Sequence, residues 1–244
     1  MRISVKQMTL AGVLGSLMIV LGGMMFIPAL NLSGAMTIMH IPIIIGAILC
    51  GPMIGLLLGV IFAVVVTIMF SGSFPWYVLV PARLLIGPVA YLVYILVKKL
   101  LKSEQESRQT LGDVIGCFLV LATVSIGGYF LWPSIQILSI WLQIFIFIVA
   151  AMIVTGVIYW FWKTKAETTA ITMSAVFGTL ANSIGTLGLG VLFPTILGET
   201  IPVRFKVALG IFASNSVLEL IIAVVICIAL IPPLQAFLNR EKAV

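Results

Sequence analysis

Met36-Thr37-Ile38-Met39-His40-Ile41-Pro42-Ile43-Ile44-Ile45-Gly46-Ala47-Ile48-Leu49-Cys50-Gly51-Pro52 carries the only histidine of the chain, set between an apolar loop and a short apolar helix. The helix stops at a Gly-Pro pair and a second apolar run begins at once. Within one membrane crossing, a histidine adds a polar group and prolines remove backbone donors, so their concentration here needs a structural reason. The pattern predicts a helix over about 40–50. His40 and Pro42 are expected to mark the outer mouth of a ligand pocket, and Gly51-Pro52 its inner turn.

Composition sets the surroundings of that stretch. With 62% hydrophobic residues, 8% charged residues and a mean hydropathy of +1.31, the chain reads as an all-α, polytopic helical bundle in the lipid bilayer. Its apolar runs are continuous and not alternating, which argues against a β-barrel. The net charge of +6 does not point to nucleic acid, because the cations lie in short clusters between apolar runs, where they set topology. Cys50, Cys117 and Cys227 lie in apolar surroundings without CxxC spacing. They imply neither a disulfide framework nor a metal site. The first run lacks a small-residue cleavage site and is read as a retained span.

Eight spans are expected in one transmembrane domain over residues 1–244. They cover about 8–27, 40–50, 53–70, 78–97, 114–131, 134–162, 169–193 and 205–231. External loops are expected at 28–39 and 194–204, and Pro232-Pro233 is expected to end the last helix. With both termini cytoplasmic, ten of the thirteen Lys and Arg residues fall on the inner side, as the positive-inside rule requires. In the first helix Ala11 and Gly15, and beside them Gly12 and Ser16, form overlapping small-xxx-small patterns that admit a close helix neighbour.

Three ionisable residues fall where hydrocarbon is expected: His40, Arg83 and Glu219. Each must face the bundle interior or a wet cavity. Arg83 and Glu219 can form an internal pair that fixes packing. They can equally belong to a polar pocket, where a ligand carboxylate or amide meets Arg83, Asn215 and loop residues including Asn31. Asn182 lies in a glycine-rich helix and suits an interhelical hydrogen bond or a ligand contact. Trp76 and Tyr77 can stack on a flat ring. No P-loop, HExxH or GxSxG motif occurs, and no cofactor is expected.

Four stretches carry a resemblance to the substrate-capture (S) subunits of energy-coupling factor vitamin transporters. They are residues 39–52 quoted above, Pro81-Ala82-Arg83-Leu84-Leu85-Ile86-Gly87, Gly178-Thr179-Leu180-Ala181-Asn182-Ser183, and Asn215-Ser216-Val217-Leu218-Glu219. The resemblance implies a small helical bundle that binds one vitamin near its outer face and associates with a transmembrane coupling subunit and two ATPase subunits. It also implies that the small residues of the first helix, Ala11 and Gly15, face the coupling subunit. Ser183 stands where the family usually has Thr. The family usually has six helices, so residues 113–162 read as an inserted pair. An ion-driven secondary carrier and an integral membrane enzyme are the competing classes. One buried cation suits an anionic vitamin such as pantothenate or a folate-like acid, whereas aromatic stacking suits riboflavin.

Overall fold

A computed structural model describes residues 5–24, 27–28, 35–36, 38–69, 75–101, 166–193 and 200–240. Helix α1 spans Val5–Met24, α2 His40–Cys50, α3 Pro52–Met69, α4 Trp76–Leu101 and α5 Ala166–Leu192. Helix α6 (Ile201–Ile211) runs through a π-helical turn, Phe212–Ser216, into α7 (Val217–Arg240). Two-residue strands β1 (Ile27–Pro28) and β2 (Ala35–Met36) pair antiparallel, Ile27 opposite Met36. The expected helical membrane bundle is what the chain forms. By length and composition, Trp76–Leu100, Glu167–Leu192 and Glu219–Leu238 suffice to cross a membrane among the described residues. Asn31 and the expected helix pair 113–162 lie outside them.

Helix α2 is the centre of the bundle. Ten of its eleven residues are buried, and α1, α3, α4, α5 and α7 all pack against it. A helix apolar on every side is stable only when covered on every side. Its ends are closed locally: Ile41 N–H donates to the Ile38 carbonyl at 3.1 Å, and Gly51 N–H to Ala47 at 2.9 Å. Gly51 has φ 98°, a conformation that costs a side-chain-bearing residue steric strain. Pro52 then opens α3, where its missing N–H costs nothing.

Helices α3 and α4 run antiparallel in unusually close contact. A Cβ on Gly87 would lie 2.6 Å from Gly55 Cα, and one on Gly59 would lie 2.6 Å from the Arg83 carbonyl oxygen. The paired order 55–87 and 59–83 brings the C-terminal half of α4 to the Gly51 end of the bundle. Helix α5 runs back along α4, with Gly178 beside Ala90 and Gly185 beside Ala82.

Two boundaries differ from the sequence expectation. The loop expected over 194–204 ends early: α6 starts at Ile201, with Thr200 extended before it and Pro202 in its first turn, where proline is tolerated. The last helix does not stop at Pro232-Pro233 but continues to Arg240. Prolines inside membrane helices survive when neighbouring groups hold the helix on either side, and Gln235 beyond them bonds to Tyr94. The single helix expected over 205–231 is also interrupted by the π-helical turn. Its Asn215 and Ser216 are residue types that compete for backbone hydrogen bonds.

Candidate functional site

The site is built on one face of α5. Thr179, Asn182, Ser183 and Thr186 recur at helical spacing and fall within about 100° of arc. The first three are buried. A polar stripe in an apolar membrane helix must face protein, and this one faces α2 and α4. His40 Nε2 lies 3.1 Å from Thr179 Oγ1. Two turns along α5, Arg83 Nη1 donates to Thr186 Oγ1, and that hydroxyl donates to the Asn182 carbonyl at 2.7 Å.

Arg83 is 6% exposed. Its Cζ lies 5.4 Å from the Phe62 ring centroid, a cation–π distance. Phe62 stands about one turn farther from Gly51 than Gly59, which touches the Arg83 backbone. The side chain therefore extends away from the Gly51 end. Glu219, 5% exposed in the first turn of α7, acts on Arg83 electrostatically. Glu219 stands near the start of α7, one turn beyond the π-helical segment. Arg83 Nε and Asn182 Oδ1 have no hydrogen-bond partner. A buried polar atom left in that condition costs about 1–3 kcal/mol, more when charged.

His40 is fully buried at the start of α2. Asn215 is buried in the π-helical turn, one turn before Glu219. Trp76 is 65% exposed at the start of α4, edge-on to Tyr77 at 6.0 Å, about 10 Å along the helix from Arg83. It does not join the cluster. On α1, Ala11 is part of the core and a Cβ on Gly15 would lie 3.1 Å from Ile61 Cδ1. That pair faces inward, while Gly12 and Ser16 face outward.

Sequence reasoning missed several members. Thr179 and Thr186 were legible as the continuation of the Asn182 stripe at spacings of three and four. Phe62 gave no signal, since nothing separates it from any other core aromatic. Arg204, expected in a loop, is buried in α6, with Nε and Nη1 lacking partners. It stands about 22 Å along the helix from Glu219, at a different level from Arg83.

These features define a helical membrane protein with a charged, incompletely bonded polar cluster inside its bundle. A family model described as "ECF transporter, substrate-specific component" matches residues 6–158, and the chain belongs to that family. His40 and Arg83 fall inside the matched region; Asn182, Asn215 and Glu219 lie beyond it. No curated protein and no solved structure matches the chain.

Proposed function

We propose that this chain is the membrane-embedded capture subunit of an ATP-driven importer, binding a water-soluble vitamin or related small molecule between α4, α5 and α7. The observation that carries the reading is Arg83: a buried cation in a membrane bundle whose Nε has no partner. Structural cations in such places are normally bonded in full. Family membership supplies the transport role, and the absence of any P-loop in the chain assigns ATP hydrolysis to separate subunits. The chain works by binding and not by chemistry. Arg83, Asn182, Asn215 and Glu219 are the proposed contacts, with His40 beneath them and Asn31 on the segment that leads into α2.

On this reading the protein lies in the cell membrane with both termini cytoplasmic, and the Gly51 end faces inward. The surface for the transmembrane coupling subunit is assigned to Gly12 and Ser16. No atom lies within 4 Å of a Cβ built on Gly12, and Ser16 Oγ is bonded to its own helix at 2.9 Å, leaving a shallow apolar groove. Reconstitution in liposomes tests the proposal. Uptake that requires added coupling and ATPase subunits supports it, and ion-driven uptake by this chain alone replaces it with a secondary carrier.

A further inference from the structure

Resting on the reading of this cluster as the capture site, we infer that the cargo is an organic anion carrying an N–H or O–H donor apart from its anionic group. Arg83 fixes the first requirement. Guanidinium offers five donors and no acceptor; Nη1 is committed to Thr186, and Nε is not committed. Nε can only donate, and a carboxylate oxygen meets its N–H with a charge-assisted bond.

Asn182 fixes the second requirement. It is 4% exposed and its Oδ1 accepts from nothing, so a donor is missing at that point. Asn182 lies one helical turn from Thr186, about 6 Å along the axis and on the same face. Between the two open positions, Thr186 is closed: it accepts from Arg83 and gives its proton to the Asn182 carbonyl. A molecule bound here is therefore read at two separated points, an acceptor-only end at Arg83 and a donor at Asn182. Donor-free acids satisfy one of them and cations neither in the right order.

The test uses the full-length protein in lipid nanodiscs and follows thermal stability and calorimetric affinity. The probes are pantothenate and biotin (anions with N–H donors), lipoate (an anion without one), thiamine (a cation) and riboflavin (a neutral N–H donor). Mass spectrometry identifies any compound that co-purifies. The expected result is stabilisation by a donor-bearing anion and an affinity at least tenfold lower in both Arg83→Gln and Asn182→Leu. Binding of thiamine, equal binding of lipoate, or affinity unchanged in Asn182→Leu overturns the inference while leaving the capture reading intact. If no probe binds and nothing co-purifies, the capture reading fails and the inference falls with it.

Discussion

Gln235 reaches across from α7 to Tyr94 on α4, its Nε2 donating to the phenolic oxygen at 3.0 Å. The same oxygen accepts from Lys98 Nζ at 2.9 Å and donates to Glu167 Oε1 at 3.3 Å. One buried hydroxyl thus ties three helices together at the Gly51 end, away from the Arg83 cluster on those same helices. Tyr94→Phe is expected to cost about 1–3 kcal/mol in unfolding, because it strips a buried polar group from several partners. Lys98→Ala is expected to cost under ~1 kcal/mol, since the Lys98–Glu167 pair is substantially exposed. Unfolding in detergent micelles, with the order of the two losses reversed, would contradict this account.

Arg83 and Glu219 form a second pairing whose removal depends on which half goes first. Arg83→Leu removes the cation on which the buried Glu219 acts and is expected to cost about 3–5 kcal/mol. Arg83→Leu combined with Glu219→Leu is expected to recover most of that loss while abolishing anion binding. A double-mutant cycle measures the coupling. Additive losses would mean that Glu219 does not act on Arg83.

The α3–α4 contact makes a sharper packing prediction. Gly87→Ala places a methyl against the Gly55 backbone, which cannot rotate away as a side chain can. The helices must separate, at about 1–3 kcal/mol. Gly12→Ala meets open space and is expected to leave stability unchanged. Equal effects at both positions would show that the close approach is not real.

Gly12→Trp separates binding from coupling. Affinity for the captured molecule is expected to match the parent, while uptake with the coupling and ATPase subunits falls at least tenfold, because the indole fills the shallow face. Loss of affinity alongside uptake would make Gly12 a folding position.

For residues 113–162, a cysteine at Ser134, in a chain lacking Cys50, Cys117 and Cys227, is expected to react with an impermeant thiol reagent from outside. Both flanks of this segment are basic, from Lys98 to Arg108 and from Lys163 to Lys165, which predicts two crossings between them. Labelling from the cytoplasm alone would remove the inserted pair from the topology.

The centre of the fold was legible because its signals are covalent. Gly51-Pro52 ends one helix and starts the next by backbone geometry alone, and the unbroken apolar run before it forecasts burial on every side. Arg83 and Glu219 were legible because ionised groups in hydrocarbon are costly wherever they fall. The π-helical turn was not legible, since a helix tolerates Asn215-Ser216 in more than one register and the choice is made by packing. At Ala11 and Gly15 the spacing was right, but a small-xxx-small pattern does not say which of two adjacent faces turns inward.

The short reach of α2 gives the bundle a direction. From Thr179 to Leu192, α5 rises about 20 Å beyond the level at which His40 is held, whereas below His40 the centre is filled by α2 itself. The proposed site above His40 is therefore backed by the ten buried residues of α2. That backing is wedged: a methyl on Gly178 would already lie 2.8 Å from Ile44, so α2 has no slack in which to slide past α5. On the proposed reading, a molecule held above His40 cannot pass α2 while the bundle keeps this packing, so net import requires work supplied from outside the chain.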